Sequence, residues 1–525
     1  DTDVPWSPVD GANAIVELRD ANYEVVASKR VKTNAWGSGS DEFEIPQGKM
    51  LGAWSIQVNQ SASTMVRIEE YRVPSFTVEV DSPEGLRLNS RAVVSGKADY
   101  FFGLPVSGGR VSWKVQRQER WPWWCWYRQA RTEVIATGVE QTDDKGVFKV
   151  DFLAEAGEKP QGDDIPEFVF VVDVDVTDEA GETHSTSRAF NMGWAAVKAL
   201  ASTQKGFFDA GKPVDVSVSR MDLNGNPAPG KVDWKLFRIA DPEKPQLPSD
   251  VQNAPVGFPG FRGDFDSYYD RTNSYSPDEM VRMRPDGARR AAGTLDVGDG
   301  GSADLTLGAL ENGFWRLRYT VKDQYGQSWS GSFDFNVVSP TAPTTLPILL
   351  KAQADSYEVG DTIRLAVGSA FKGQHAILNV SDRSGLVETR RLKLGSGTEI
   401  INYKVNRAAR GGLQFNLMAY RDYQNLSQVV HVSVPWSDRL LKVSIDKFRD
   451  KVTPGGRETI SFRVADPSGR PVPAAEVLAW MYDRSLDDLA PLSVPDMMRL
   501  WPGIQYRINI SDNLTMASGL YTQHD

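Results

Sequence analysis

The stretch Pro105-Val-Ser-Gly-Gly-Arg-Val-Ser-Trp113-Lys-Val115 returns as Pro227-Ala-Pro-Gly-Lys-Val-Asp-Trp234-Lys-Leu236. Pro471-Val-Pro-Ala-Ala-Glu-Val-Leu-Ala-Trp480 repeats the theme, and Pro8-Val-Asp-Gly-Ala-Asn-Ala-Ile-Val16 opens it. Proline presets φ and glycine admits positive φ, so each copy reads as a turn that feeds an alternating strand ending near a tryptophan. Pro105 and Pro227 stand 122 residues apart, and Pro227 and Pro471 stand 244 apart, twice that spacing. A diverged copy therefore belongs midway, and Phe371-Lys-Gly-Gln-His-Ala-Ile-Leu-Asn-Val380 occupies the place. Fixed self-similarity of this kind marks a repeat architecture.

Working outward, one more strand precedes each of the four later copies, at residues 92–96, 214–218, 362–367 and 458–464. A glycine turn and another strand follow, as in Thr142-Asp-Asp-Lys-Gly146-Val-Phe148. A hairpin closes the unit, clearest at residues 319–337 around Tyr325-Gly326. About seven short strands over ~100 residues is the pattern of an immunoglobulin-like or fibronectin-like antiparallel β-sandwich, so the fold class is all-β, with sandwiches in tandem. The tryptophans are expected to fill sandwich cores. Helical patterning is scarce; residues 487–500 are the best candidate, and Pro491 and Pro495 keep any helix there short.

The repeats set the domain boundaries: a truncated unit at 1–73, whole units at 74–195, 196–340 and 341–435, and the start of another at 436–525. Pro340-Thr-Ala-Pro-Thr-Thr-Leu-Pro347 reads as a short stiff linker. The third unit carries an insertion, 241–290, rich in Pro, Gly, Asp and Tyr and too polar for a core.

Composition excludes several functions. A formal net charge of −10, with Lys and Arg interspersed among acids, does not suit a nucleic-acid-binding surface. The single cysteine, Cys125, rules out an internal disulfide framework and a cysteine-cluster metal site. Near-absence of cysteine disfavours a eukaryotic extracellular protein and is neutral between a cytosolic protein and an exported bacterial one. Four histidines, far apart, lack ligand spacing, and no Ser-His-Asp or paired-carboxylate arrangement can be argued, so no catalytic, cofactor-binding or metal-binding residues are assigned and no cofactor is expected.

A resemblance then becomes specific. Val66-Arg-Ile-Glu69-Glu70-Tyr71-Arg72-Val-Pro74-Ser-Phe76-Thr-Val-Glu-Val80 resembles the interdomain junction of the α2-macroglobulin family. Ala98-Asp-Tyr-Phe-Phe-Gly-Leu-Pro-Val106 and the aromatic run Trp121-Pro-Trp-Trp-Cys-Trp-Tyr127 are similar to bacterial members. Val452-Thr-Pro-Gly-Gly456, Asp466-Pro-Ser-Gly-Arg-Pro-Val472 and Glu476-Val-Leu-Ala-Trp-Met-Tyr-Asp483-Arg-Ser485-Leu-Asp-Asp-Leu489 resemble the macroglobulin domain that carries the bait region. The resemblance covers nearly the whole chain in the family's domain order. It implies a broad-spectrum, non-enzymatic endopeptidase inhibitor: cleavage of an exposed bait makes the macroglobulin domains rearrange and trap the protease. It further implies a periplasmic or cell-envelope bacterial protein, with target endopeptidases and peptidoglycan-synthesis proteins as partners and a lipid anchor outside this stretch. Cys125 is followed by Trp126-Tyr127-Arg128 rather than the family's Cys-x-Glu-Gln, so it is not the family's thioester. The competing reading of the same repeats is a structural or adhesive Ig-like stalk.

Other candidates weigh less. Cys125 among tryptophans reads as a small hydrophobe before a reactive thiol. The 121–127 cluster could stack on glycans, but a loop folded onto its neighbour explains it more simply. Arg262-Gly263-Asp264 matches an integrin-binding tripeptide of a length that chance supplies. Asp264, Asp266 and Asp270 lack the length and terminal Glu of an EF-hand. The pairs Asp143-Asp144 and Asp163-Asp164 read as turn caps. The bait is expected near or just after Asp525, with residues 497–507 packed on the last domain. The competing protease site is the insertion, through Arg282, Arg284, Arg289 and Arg290.

Overall fold

A computed structural model describes residues 8–68, 75–81, 87–120, 131–158, 167–251, 276–422, 424–447, 456–457, 459–480, 501 and 503–504. The chain divides into two compact units, one formed by 1–75 with 436–502 and one by 76–435 with 503–525.

In the first unit, β1 (Asn13–Arg19), β2 (Val25–Lys32), β3 (Gly52–Val58) and β4 (Ala62–Ile68) form one antiparallel sheet in the order β2-β1-β3-β4. Leu18 and Trp54 on its apolar face are buried, and Trp54 Nε1 donates to the Met50 carbonyl at 2.8 Å.

The second unit holds three sandwiches. The first has β5 (Phe76–Val80), β6 (Arg91–Tyr100), β7 (Arg110–Arg120), β8 (Thr132–Gln141), β9 (Val147–Leu153), β10 (Glu167–Thr177) and β11 (Thr183–Met192). Lettered A to G in that order, they build a three-stranded A-B-E sheet facing a four-stranded G-F-C-D sheet. Period-two patterning is the cause. In β10 alternate residues from Phe168 to Val176 are buried, while Asp173 and Asp175 between them meet Ser187 and Ser185 on the outer face.

The second sandwich repeats the plan with β12 (Val197–Ser202), β13 (Phe208–Asp209), β14 (Val214–Asp222), β15 (Gly230–Ile239), β16 (Asp286–Val297), β17 (Ser302–Leu307), β18 (Gly313–Lys322) and β19 (Ser328–Val338). Its sheets are β12-β14-β17 and β13-β19-β18-β15-β16, where the extra two-residue β13 pairs parallel with β19. A short helix, α1 (Pro277–Met283), lies between β15 and β16. The third sandwich has β20 (Leu349–Ala352), β21 (Thr362–Gly368), β22 (Gln374–Asp382), β23 (Gly385–Leu394), β24 (Thr398–Lys404), β25 (Leu413–Arg421) and β26 (Gln424–Val432). They assemble as β20-β21-β24 over β23-β22-β25-β26. A final pair, β27 (Lys442–Lys447) and β28 (Ser461–Ala465), belongs to the first unit. The fold is all-β, with α1 the only α-helix among the described residues.

The repeated Pro-Gly motif is the B-to-C turn. Isolated bridges close it at Asp99↔Pro105, Met221↔Pro227 and Ala465↔Pro471. The diverged copy at 371–380 leads into β22, the C strand of the third sandwich. The tryptophans behave differently from the expectation of core filling. Trp113 and Trp234 stand on the core face but are only partly buried, each lying across a glycine of strand D. A Cβ on Gly138 would sit 2.3 Å from Trp113 Cζ2, and one on Gly293 2.9 Å from Trp234 Cζ2. Gly138→Ala and Gly293→Ala should each lower stability by about 1–3 kcal/mol through overpacking, whereas Gly298→Ala, facing open space, should stay within about 0.5 kcal/mol. Urea unfolding midpoints check the ranking.

Candidate functional site: the insertion and the joint it crosses

With no catalytic constellation to build from, the site is the region where the chain departs from its own repeat. Residues 240–285 join strands C and D of the second sandwich. Their composition suggested a polar excursion, and the described ends correct that. Leu247 is 6 % exposed and sits in the core of the third sandwich with Ile348 and Leu350. The 3-10 turn Pro248–Asp250 follows, with Asp250 accepting from the Leu247 N–H at 2.9 Å. Beside it, Ser249 N–H donates to Gln424 Oε1 at 3.1 Å and Gln424 Nε2 to Ser249 Oγ at 2.8 Å.

The returning end is held as firmly. Ser276 and Glu279 form a capping box with Pro277 in the first turn, which nucleates α1 despite its seven residues. Met280 and Val281 are buried in a cluster with Ile239 and Phe314 of the second sandwich and Leu346 and Leu349 beyond it. Arg316 of β18 ends the helix. Its guanidinium donates to the carbonyls of Arg282 and Arg284 at 2.8 and 2.9 Å, to Asp334 at 2.7 and 2.8 Å, and to Asp286 at 3.1 Å. Those carboxylates keep the buried Arg316 guanidinium charged, raising its pKa chiefly through Asp334. Asp286, held also by Arg318, is pulled below the usual carboxylate range.

Arg284 is buried too, and donates to Thr345 Oγ1 at 2.7 Å and the Thr345 carbonyl at 3.1 Å; burial lowers its pKa. Residues 340–347 are therefore not a free spacer. Thr341 N–H donates to the Thr398 carbonyl at 2.8 Å, Pro343 bridges Gly397, and Leu346 is fully buried. Three further contacts cross the same joint. Asp209 takes two hydrogen bonds from Arg364, at 2.9 and 3.1 Å, and Lys351 pairs with Asp278 at 2.7 Å. Phe207 and Val338 pack on Ala366 and Ile400. Arg364 first of all depresses the Asp209 pKa. The stability this pair adds is thus present above the ordinary Asp value of about 4 and is lost only as pH falls through the lowered one. A polar cavity of about 350 Å³ lies alongside, lined by Arg238, Asn312, Asn336 and Thr398 among others. Arg238 there is already paired with Asp241 and Glu311, at 2.8 and 3.2 Å, so it is not a free anion site.

Among the other candidates, Asp143 caps its turn as expected, accepting from the N–H of Lys145 and of Val147 at 2.8 Å. Cys125, the 121–127 cluster, Asp163-Asp164, Arg262-Gly263-Asp264, Asp266, Asp270 and the candidate helix at 487–500 lie outside the described residues. Of residues 497–507, Trp501 stacks on Trp436 at 4.8 Å between ring centroids, and Ile504 N–H donates to the Gly411 carbonyl of the third sandwich. No group of His, Cys, Asp and Glu among the described residues could hold a metal ion, and none of their helices is long and apolar enough to cross a membrane. The anchors Leu247, Met280, Asp209 and Arg316 were not read from the sequence. One signal was available, the Ser276-Pro-Asp-Glu279 box ahead of Met280 and Val281.

The trypsin reading of the insertion changes accordingly. Arg284 is enclosed, and Arg289 and Arg290 lie within β16, where Arg289 pairs with Phe237. A protease binds its substrate as an extended, unpaired strand, so native tryptic digestion should leave Arg284, Arg289 and Arg290 uncut until the sandwich unfolds. Peptide mass spectrometry of a time course checks this.

Comparison with known proteins adds a family. The model of the alpha-2-macroglobulin bait region domain matches residues 348–489, beginning just before β20. An "Alpha-2-macroglobulin homolog" of Nostoc sp. is 23% identical over 479 residues, 84% of this chain and 23% of its own length. The "Alpha-2-macroglobulin" of Thermotoga maritima is 24% identical over 221 residues, 41% of this chain and 13% of its own. Trypsin-activated alpha-2-macroglobulin from Escherichia coli aligns over 84% of this chain and 30% of that one, at 13% identity and a TM-score of 0.41. The chain spans under a quarter of the length of these two curated relatives.

Proposed function

Because the chain belongs to the bacterial α2-macroglobulin family, we propose that it is the sandwich scaffold of a broad-spectrum endopeptidase inhibitor, one that traps proteases after bait cleavage and rearrangement. The observation that carries this reading is the bait-region-domain match at 348–489, which takes in the third sandwich and follows the two repeated sandwiches before it. Sandwiches suit the task physically. Each owns a core, so one can be displaced from another without unfolding. The part is non-enzymatic: the protease does the chemistry and the scaffold supplies shape. Its partners are then endopeptidases, and the proposed location is the periplasm or cell envelope, with peptidoglycan-synthesis proteins as further partners and a lipid anchor outside this stretch. An adhesive stalk is the rival reading, since the same sandwiches in tandem would also build one.

We place the bait C-terminal to residue 480, near or after Asp525, and not in the insertion, whose described ends are anchored by buried Leu247, Met280 and Arg284, with Arg282 exposed but inside α1. Limited proteolysis of the chain with trypsin or elastase should give first cuts beyond residue 480. It should give no covalent, Cys125-dependent protease adduct, because Cys125 lacks the Cys-x-Glu-Gln context. First cuts inside 241–290 followed by protease retention would overturn the bait placement. Cuts that leave the protease free in the complete protein would favour the stalk.

A further inference from the structure

The two joints inside the second unit are built differently. Between the first and second sandwiches, the Asn191 N–H meets Asn224 Oδ1 at 2.7 Å and the Ala196 N–H meets Asp323 Oδ2 at 3.0 Å. Arg87 lies over the Tyr325 ring at 5.3 Å, and Leu223 sits against Gly193. Among the described residues no buried cluster draws on both of these sandwiches: the core of the first and the core of the second share no member. Between the second and third sandwiches, three do. Leu247 enters the third core, the cluster around Met280 and Val281 includes Leu346 and Leu349, and Phe207 and Val338 pack on Ala366. Ion pairs Asp209–Arg364 and Asp278–Lys351 flank them.

We infer that the insertion is a strap that fixes the second and third sandwiches as one rigid body, and that this part of the chain bends at residues 193–196. The energetics favour this division. The first joint holds a few hydrogen bonds and, in apolar contact, little more than Leu223 and Ala195 beside Gly193, so it opens at smaller cost. Burying Leu, Met, Val and Phe side chains is worth about 1.5–3 kcal/mol each, and a joint holding several of them opens only with their exposure. The strap gains further rigidity because both its ends are anchored: Leu247 by the third core, and α1 by the Arg316 guanidinium that holds its last carbonyls. Loosening either end removes apolar contacts across the joint, at Leu346 and Leu349 for Met280 and in the third core for Leu247.

Electron–electron distance measurements on the full chain test the inference. In a Cys125→Ser background, spin labels at exposed Val139, Asp304 and Lys393 report one joint each: 139 with 304 for the first, 304 with 393 for the second. The expected distance distribution is at least twofold wider for the first pair than for the second. Leu247→Ala combined with Met280→Ala should widen the 304–393 distribution toward that of the first pair and leave 139–304 unchanged. Should that double variant lose native circular dichroism, Met280→Ala alone, which lies outside the third core, gives the same reading. Equal widths for the two pairs in the parent chain overturn the inference. So does a 304–393 distance that stays narrow in the folded variants, since the strap would then not be what holds it. No protease enters the experiment, so its outcome is independent of the inhibitor reading.

Discussion

Strand C pairs with strand F in every sandwich, and the other contacts are arranged around that pairing. In the first sandwich β7 and β10 run in unbroken register from Arg110↔Thr177 to Arg120↔Glu167. A slip of one residue would turn Phe168, Phe170, Val172, Val174 and Val176 to water and bring Asp173 and Asp175 into the core. Losing those five side chains from the core costs as much as the net stability of a domain, before the burial of two aspartates is added, so the register is strongly specified by pattern. The second and third sandwiches repeat the pairing through β15 with β18 and β22 with β25. Strands and turns outside this pair can vary more freely, and in this chain they do.

The repeat was legible because its signals are local. Pro105, Pro227 and Pro471 mark turns through their own φ, and the alternation beside them reports a two-faced sheet with no knowledge of what lies across it. Even the diverged copy at 371–380, which has neither the proline nor the tryptophan, could be placed from spacing and found leading into β22. The joints were not legible, for the opposite reason. Leu247 is one apolar residue among prolines and charges, and only the third sandwich, some hundred residues downstream, makes it a core residue. Arg284, read as a protease site because the insertion reads as a polar excursion, is buried and held at Thr345. The tryptophans fell between these cases. Their face was readable, but not the glycines of strand D beneath them.

Electrostatics at the second–third joint reinforces packing rather than replacing it. Arg316 is nearly enclosed yet meets two carboxylates and two nearby carbonyls, so its charge is compensated where it lies. Asp209 and Arg364 do the same nearer to solvent. An unmatched guanidinium in either place would push the surfaces apart to reach water. At this joint, compensated charge and buried apolar side chains therefore act together.

In the first unit's sheet β1 and β2, which take the places of strands C and D, are joined by five residues; C and D are joined by two, Arg383 and Ser384, in the third sandwich and by residues 240–285 in the second. In the first sandwich the same connection holds residues 121–131, and with them the aromatic run and the lone cysteine. The unusual segments of this chain thus share one address in the repeat. Because strand D is an edge strand paired only to C, extra residues there lengthen a path at the rim and leave the C–F register untouched. The connection behaves as a grafting port. New sequence can be tried there, kept when it finds a neighbour to hold, and lost without harm to the framework when it does not. For protein engineering, the two-residue turn at Arg383-Ser384 is the vacant counterpart of a position that has accepted long inserts twice in the same molecule.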